Sequence, residues 1–437
     1  MSQHPPIGRR SFVTGAGAVA GASALGFPAV LRAQAPAVKL GVVHTVTGPL
    51  AEPGQACRLG AQLAAEAVNQ AGGIKALGGA KLDLLLGDTQ SKPEVARQEA
   101  ERLVNAGAQM LMGTFSSGDT NAVVPVAQQR RLPFIVDISA ADPITANVAK
   151  SVKEGQQKVQ YVYRNFPTGA MFGQRAVQFM GELFHEAGIS PKRIVLLYAN
   201  DLFGQVQARS FQAAHKAASP AWDIVEVIPW PEPPSDLSTE VSKLKAAKPD
   251  IVAPITRPAS ALLLLPEIER QRVEALGIIG PGSPGLYEAG QIAKLKDQLE
   301  FVMDNVPWPN FKNPKTRQVA EEYTKRTVDA ANPRGKTFDT NSVFSYDGMM
   351  LIADVLERAG REGLKLDRWD PDAVVAAIKK TSFTGGLAVS TGPVVFNETG
   401  DNPNASTAMI QILGQKPAVV WPKDSAEQKY VLPRPKR

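Results

Sequence analysis

Between residues 38 and 306 the chain alternates short apolar runs with longer stretches of helical spacing, and this alternation constrains the fold most. Runs such as residues 108–112 and 193–198 are continuously apolar, as is typical of strands buried on both faces. Strands that alternate with helices predict parallel sheets covered by helices. The pattern forms two sets, one before and one after about Tyr161. We therefore expect an α/β protein with two doubly wound parallel-sheet lobes.

Charge and cysteine content exclude several classes of protein. The formal net charge is +6, but residues 1–37 hold three arginines and no acid, so the remainder carries +3. That balance is not the footprint of a nucleic-acid-binding protein. One cysteine, Cys57, rules out an intrachain disulfide framework, and the four histidines lie far apart. We expect no metal site, no cofactor and no nucleic-acid partner.

The first 37 residues have the organisation of a twin-arginine export signal. Arg9 and Arg10 precede a weakly apolar stretch, residues 14–31, and small residues that suit cleavage occupy positions 33–37. The glycine-rich residues 14–21 lack the preceding strand and the later acid of a dinucleotide-binding loop. No cysteine lies at the cleavage point, so we expect no lipid anchor. The sequence predicts export to the periplasm by the twin-arginine route, followed by removal of residues 1–37.

Residues 113–120, Gly-Thr-Phe-Ser-Ser-Gly-Asp-Thr, are the first candidate binding loop. They follow a predicted strand and precede a predicted helix. A helix start offers unpaired backbone N–H groups, to which Ser116 and Ser117 add hydroxyls and Gly118 adds close backbone approach. Such a loop can hold a carboxylate. It can equally be an ordinary helix cap, formed by Asp119 or Ser117.

Motifs of catalysis are not evident. Residues 113–118 miss the Gly-x-Ser-x-Gly spacing of a nucleophile elbow, and residues 281–285 have proline where its first glycine should be. A phosphate-binding Gly-x4-Gly-Lys loop does not occur, and no pair of carboxylates is marked as an acid–base couple. These observations favour a binding protein over an enzyme.

An ordered set of motifs resembles the type I periplasmic solute-binding proteins of ABC importers, in the branch that binds leucine, isoleucine and valine. The resemblance covers nearly all of residues 38–413. The motifs that carry it are residues 39–43 with Thr47-Gly48-Pro49, residues 60–69 with Gly72-Gly73-Ile74, residues 113–118, residues 131–134, Tyr163-Arg164, Ser345-Tyr346-Asp347, Gly385-Gly386, residues 392–396 and Gly400-Asp401.

This resemblance implies two lobes joined by a hinge that the chain crosses three times. Lobe one would comprise residues 38–163 and 306–405, and lobe two residues 164–305 and 406–437. The ligand would lie in the cleft between the lobes, which close on it. The closed shape would then be recognised by a permease in the inner membrane.

The resemblance also implies ligand contacts at defined positions. Ser116, Ser117 and Gly118 would take the ligand's carboxylate. The next contact loop matches Ala140, Ala141 and Asp142, although it is about two residues shorter than usual. Across the cleft, the implied positions lie in loops that follow the strands of lobe two: Phe203, Thr256, Arg257, Gly282 and Ser283.

One of these positions departs from the family pattern. Amino-acid binders place a carboxylate in the loop that matches Gly280–Ser283, where it pairs with the ligand's ammonium, but here Gly282 stands there. A buried ammonium without a partner is costly. Either Asp142, Asp201 or Glu52 replaces the missing carboxylate, or the ligand has no ammonium.

Two further residue types bear on that choice. Arg257 could pair with an acidic group of the ligand, or it could be a solvated charge or part of a salt bridge. Phe115 and Phe203 could enclose an aromatic or aliphatic body, or could simply pack in the cleft wall. We therefore expect a carboxylate-bearing solute, either an amino acid or an aromatic or other organic acid. The alternatives are a sensor of the same fold that reports to a membrane receptor and an exported enzyme.

Overall fold

A computed structural model describes residues 37–330, 332–333 and 335–435. The predicted export signal, including Arg9 and Arg10, lies almost wholly outside the described residues. Twelve strands and twelve α-helices occur in the described part. The strands are β1 Ala37–His44, β2 Lys81–Asp88, β3 Met110–Gly113, β4 Phe134–Val136, β5 Val162–Arg164, β6 Arg193–Ala199, β7 Asp223–Trp230, β8 Ile251–Ile255, β9 Gly277–Gly280, β10 Met303–Val306, β11 Ala408–Ile412 and β12 Pro417–Trp421.

The helices fall mainly between these strands. They are α1 Ala51–Gln70, α2 Pro93–Asn105, α3 Ser117–Gln129, α4 Pro143–Lys153, α5 Gly169–Glu186, α6 Leu202–Ala218, α7 Ser238–Ala246, α8 Pro258–Arg270, α9 Ala289–Leu295, α10 Pro314–Arg326, α11 Thr340–Arg361 and α12 Pro371–Lys379. None of the helices in the described part of the chain combines the length and the apolar character that crossing a bilayer requires.

Two sheets organise the molecule. The first has the order β2-β1-β3-β4-β5 and is parallel throughout. The second has the order β12-β11-β10-β9-β8-β6-β7. The central strands of both, such as β3 and β8, are buried along their whole length, because helices cover both faces. The predicted doubly wound α/β class with two lobes is confirmed.

The structure also corrects parts of the prediction. The second sheet is mixed rather than parallel, because β11 pairs antiparallel with both β10 and β12. Helices α4 and α9 and strand β12 were not expected. Helix α4 begins with proline and is rich in β-branched residues, which weaken the helical signal. Helix α9 has only seven residues, and β12 is bounded by Pro417 and Pro422.

Helix α11 joins the long C-terminal segment to the first sheet's lobe. It begins at Asp339, whose carboxylate accepts hydrogen bonds from the backbone N–H groups of Asn341 and Ser342 at 3.0 and 3.1 Å. It packs against α1, where a Cβ added to Gly60 would come within 2.2 Å of the Ser342 carbonyl oxygen. Only glycine permits this approach of the two helices.

A buried ion pair connects two of the places where the chain passes between the sheets. Arg164 ends β5 and is fully buried, and its Nε and Nη2 atoms lie 2.8 and 2.7 Å from Oδ1 of Asp401. Its Nη1 donates to the carbonyl of Ala141 at 2.8 Å and to that of Ser139 at 3.2 Å. Nη2 also donates to the Thr145 hydroxyl at 2.8 Å. The guanidinium is therefore satisfied by four partners from three segments.

We predict that Asp401→Ala lowers the free energy of unfolding by about 3–5 kcal/mol, because it leaves the Arg164 charge buried without a counter-charge. Chemical denaturation measures the change. The matched control is Glu362→Ala, which breaks an exposed 2.9 Å pair with Lys380 and should cost less than about 1 kcal/mol. Equal losses in the two variants would contradict the role given to the buried pair.

Candidate functional site

A small cavity lies between loops that follow strands of both sheets, and we call it the cleft cavity. Its volume is about 30 Å³. The residues that line it are Phe115, Ile138, Phe166, Phe172, Phe203, Arg257, Gly282, Ser283, Pro284, Tyr287, Val306, Thr340 and Asn341. Phe115 follows β3 of the first sheet, whereas Phe203, Arg257 and Gly282 follow strands of the second. Five residues singled out from the sequence thus meet here: Phe115, Phe203, Arg257, Gly282 and Ser283.

Arg257 is the charged group of the cleft cavity. It directly precedes α8 and is 2 % exposed. Its Nε and Nη2 both lie 2.7 Å from Oδ2 of Asp201, which also caps α6 by accepting the Gly204 N–H at 2.8 Å. The guanidinium carbon lies 4.4 Å from the centre of the Phe203 ring and 5.8 Å from that of Phe115. Arg257 is therefore held between aromatic rings that belong to loops of different sheets.

The loop at Gly282 is a tight backbone turn that needs glycine. Gly282 has φ +111°, and a Cβ there would come within 2.7 Å of Gln207 Nε2 and 2.9 Å of the Phe172 ring. The Asp304 carboxylate accepts the backbone N–H groups of Gly282 and Ser283, both at 3.1 Å. Burial raises the pKa of Asp304 to about 7, although these two hydrogen bonds lower it. The Asp304 carboxylate therefore stabilises the turn at Gly282.

Residues 116–118, which we call the serine loop, lie beside the cleft cavity rather than in its lining. Ser116 precedes the first residue of α3, Ser117 is 1 % exposed, and Gly118 is half-buried. The Ser117 hydroxyl faces the backbone N–H of Ala141 at 3.4 Å. In the part described, neither serine caps α3 with its side chain. The ordinary cap that the sequence allowed is therefore not formed by these hydroxyls.

A hydroxyl cluster behind the serine loop holds it against the next loop. Thr114 and Thr120 share a 2.8 Å hydrogen bond, and Thr120 also contacts the Ser139 hydroxyl. Ser139 donates to the Thr114 carbonyl at 2.7 Å. These residues were not assigned any role from the sequence, since only the fold brings their loops together.

The remaining predicted residues also lie outside the lining. Ala140 and Ala141 are buried in the loop that Arg164 holds through its carbonyls. Asp142 accepts the N–H of Ala170 at 3.3 Å. Thr256 is fully buried and donates to the Pro284 carbonyl at 2.9 Å, so it fixes the Gly282 loop from behind.

Carboxylates that could have replaced the one missing at Gly282 are engaged elsewhere. Asp201 pairs with Arg257. Glu52 of α1 accepts the N–H of Gly290 at 2.8 Å, which links α1 to the start of α9. Within the described residues, no lining side chain of the cleft cavity is an aspartate or a glutamate.

Polar atoms without partners line one end of the cleft cavity. Thr340 and Asn341 open α11 and are 1 % and 0 % exposed, yet Thr340 Oγ1 and Asn341 Oδ1 have no hydrogen-bond partner among the described residues. Buried polar groups normally have partners, so these two atoms point to a bound molecule or water. Sequence reasoning missed both, as well as Phe166 and Phe172. The sequence signal that could have identified Thr340 and Asn341 is Asp339, a helix-capping residue that directly precedes them at the start of a long helix.

A second, larger cavity lies behind the chain crossings, and we call it the hinge cavity. Its volume is about 250 Å³. Its walls include Asn165, Asn402, Phe344 and Asp347. The ring of Phe344 meets that of Phe166 edge-on at 4.9 Å, so this aromatic pair separates the two cavities. The hinge cavity is lined neither by a basic side chain nor by any of the predicted ligand-contact residues, although Asp347, Gly386 and residues 392–394 belong to the motifs that carry the resemblance.

A buried serine, histidine and aspartate group does not have the geometry of a catalytic triad. His44 Nε2 lies 2.8 Å from Asp137 Oδ2, and the Ser345 hydroxyl donates to that same oxygen at 2.5 Å. In a triad the histidine lies between serine and aspartate. All three side chains are fully or almost fully buried in lobe-core positions. Among the described residues, no group of three or more metal-ligating side chains is placed to hold an ion.

Comparison with known proteins identifies the family. The sequence profile of the family described as periplasmic binding protein matches residues 37–416. A Leu/Ile/Val-binding protein homolog 8 from Brucella melitensis biotype 1 is 26 % identical over 397 residues, which cover 89 % of this chain and 91 % of that protein.

Two solved structures share the fold. A leucine binding protein, LivK, from Thermotoga maritima superposes with a TM-score of 0.71 at 19 % identity, covering 89 % of this chain and 99 % of that one. An ABC transporter solute binding protein from R. palustris in complex with benzoate gives 0.70 at 20 % identity, covering 88 % and 95 %.

The predicted resemblance is confirmed by these matches. Proteins of this family are solute-binding proteins rather than enzymes. The two-sheet α/β fold is the one that the two solved structures share with this chain. The chain belongs to the periplasmic binding protein family, with Leu/Ile/Val-binding proteins among its relatives.

Proposed function

We propose that the protein captures a small carboxylate-bearing solute in the cleft between its lobes and delivers it to the membrane permease of an ABC importer. The solute is an amino acid or an aromatic or other organic acid. The relatives' names and the benzoate in one fold neighbour are consistent with both classes.

The observation that carries this proposal is the convergence of helix starts on the cleft cavity. Phe115 lies two residues before α3, Phe203 is the second residue of α6, Arg257 directly precedes α8, and Thr340 opens α11. A helix start carries partial positive charge. Asp201 and Asp339 already accept backbone N–H groups at the starts of α6 and α11, whereas the side chain of Ser116 does not cap the start of α3. The start of α3, with the Arg257 guanidinium, favours an anionic group in or beside the cavity.

Opening of the lobes is part of the proposal. We assign residues 38–163 and 306–405 to lobe one, and residues 164–305 and 406–437 to lobe two. The division is supported by β1–β5 forming one sheet and β6–β12 the other, apart from its boundary residues, since Arg164 ends β5 of the first sheet and Val306 ends β10 of the second. A cavity of about 30 Å³ has room for about two water molecules. An organic acid therefore enters only when the lobes move apart about the crossings, and the lobes then close on it.

The ligand's carboxylate is assigned to the serine loop. The backbone N–H groups at the start of α3 and the hydroxyls of Ser116 and Ser117 are the donors, and Gly118 gives access. Ala140, Ala141 and Asp142 form the adjoining wall, while Thr256 and Ser283 position the loops opposite. The support for this assignment is the 3.4 Å contact between Ser117 and Ala141, which puts the two loops side by side.

We predict that Ser117→Trp weakens binding at least about a hundredfold, because the indole fills the space between the two loops. Isothermal titration with benzoate and with leucine measures the loss for whichever probe the unmodified protein binds. Ser242→Trp, on the exposed side of α7, is the matched control and should bind normally. Ser117→Ala should keep the fold and weaken binding less. Unchanged affinity in Ser117→Trp would refute the assignment of this loop.

Transport requires that the protein lies outside the cytoplasm, and we assign export to the twin-arginine signal in residues 1–37. Changing Arg9 and Arg10 to lysine should leave the precursor in the cytoplasmic fraction, because that route reads the arginine pair. Arg32→Lys serves as the control and should be exported. Immunoblots of cell fractions measure the distribution. Normal export of the double variant would exclude this route.

A further inference from the structure

Resting on the proposed function, the structure points to a narrower ligand class: we propose that the solute is an aromatic carboxylic acid that carries no ammonium group. The inference combines three features of the cleft cavity, namely the charge of its lining, the shape of its walls and the unpartnered atoms at one end.

The charge of the lining disfavours an ammonium. Arg257 is the charged side chain in the lining, and it is a cation. The three carboxylates that could have served an ammonium have partners described above: Glu52, Asp142 and Asp201. Asp304 lies under the Gly282 turn and accepts two of its N–H groups. An ammonium in the cavity would therefore lose water without gaining a counter-charge.

Two further carboxylates adjoin lining residues. Asp339 precedes Thr340 and accepts the backbone N–H groups of Asn341 and Ser342, and the other is Glu288, which follows Tyr287. Its Oε2 accepts the N–H of Gly285 at 2.6 Å, and Oε1 has no partner among the described residues. Burial raises the pKa of this carboxyl well above its usual range, which favours the neutral acid. A neutral carboxyl does not offset an ammonium. Glu288→Gln is therefore a direct test of whether this group contributes to ligand charge recognition.

The walls of the cavity suit an aromatic ring. Five of its lining residues are aromatic, whereas aromatic residues make up 6 % of the chain. Phe115 comes from one sheet's loops, and Phe203 and Tyr287 come from the other's. Phe166 and Phe172 lie next to each other with ring centres 5.8 Å apart and planes tilted by 45°. Rings arranged on several sides offer both faces and edges to a flat aromatic guest.

The unpartnered atoms at the start of α11 suit a polar substituent on the ring. Thr340 Oγ1 can donate or accept a hydrogen bond, and Asn341 Oδ1 can only accept one. A ring hydroxyl can satisfy either atom. A carboxylate at the serine loop and Arg257, with a hydroxyl at Thr340 and Asn341, would use both polar regions of the cavity.

Matched pairs of probes test the proposal by isothermal titration of the full-length mature protein, after removal of any retained molecule by unfolding and refolding. Phenylalanine and 3-phenylpropanoate differ by the ammonium, as do leucine and 4-methylpentanoate. Benzoate and 4-hydroxybenzoate differ by the ring hydroxyl. In each of the first two pairs we expect the deaminated member to bind at least about a hundredfold more tightly, and we expect the aromatic acids to bind more tightly than 4-methylpentanoate.

Variants sharpen the test. Glu288→Gln should leave the affinities for aromatic acids unchanged. Thr340→Val, which keeps the shape but removes the hydroxyl, should reduce a preference for 4-hydroxybenzoate over benzoate about fivefold or more.

The outcomes separate this inference from the proposed function. Phenylalanine or leucine binding as tightly as its deaminated partner overturns the inference and leaves the proposed function standing, and loss of that binding in Glu288→Gln would identify the ammonium's partner. Tighter binding of 4-methylpentanoate than of every aromatic acid overturns the aromatic assignment. Binding of none of the carboxylates overturns the inference and the proposed function together.

Discussion

The ion pair between Arg164 and Asp401 is the interaction on which the arrangement of the cleft depends. Arg164 ends the last strand of the first sheet, and Asp401 lies on the segment that returns toward the second sheet. The two residues are also joined through the backbone, since the Arg164 N–H donates to the Gly400 carbonyl at 2.8 Å and the Asn402 N–H donates to the Arg164 carbonyl at 3.0 Å. Two chain crossings are thus fixed to each other by charge and by main-chain hydrogen bonds.

The same guanidinium connects the crossings to the binding loops. Its Nη1 donates to the carbonyls of Ser139 and Ala141, and the N–H of Ala141 faces the Ser117 hydroxyl. The buried ion pair therefore fixes the position of the loop that contains Ser139 and Ala141, and that loop in turn contacts the serine loop. A hinge in this class of protein must let two lobes move while each lobe keeps its own half of the site intact. A rigid cluster at the crossings, with loops attached to it, meets that requirement.

Charge is distributed unequally across the cleft. On one side, helix α3 begins at the serine loop, and the first N–H groups of a helix have no partner within that helix. On the other, Arg257 is held by Asp201 and stacked on Phe203, so its position is set before a ligand arrives. The loop at Gly282 offers no carboxylate of its own, and Asp304 supports the turn by accepting the backbone N–H groups of Gly282 and Ser283. The cleft therefore presents donors and aromatic faces, and its acids are turned toward the protein.

Much of this could be predicted from the sequence, because long alternating elements and loops after strands leave local signals. Phe203 and Arg257 were found as residues that follow buried strands. Phe166 and Phe172 were missed because only the tertiary fold brings them to the cavity and no local pattern marks them. Thr340 was missed although it directly follows Asp339, which caps a long helix. Gly282 was recognised only as a departure from the family pattern. Its cause, the close approach of Phe172 and Gln207, is visible only in three dimensions.

A crystal structure of the protein with 4-hydroxybenzoate tests the central claim most directly, because it shows which of the two cavities holds the ligand. The account predicts a closed form with the ring between Phe115 and Phe203, and the carboxylate within hydrogen-bond distance of the serine loop or Arg257. Density for the ligand in the hinge cavity beside Asp347, with the cleft cavity unchanged, would contradict it.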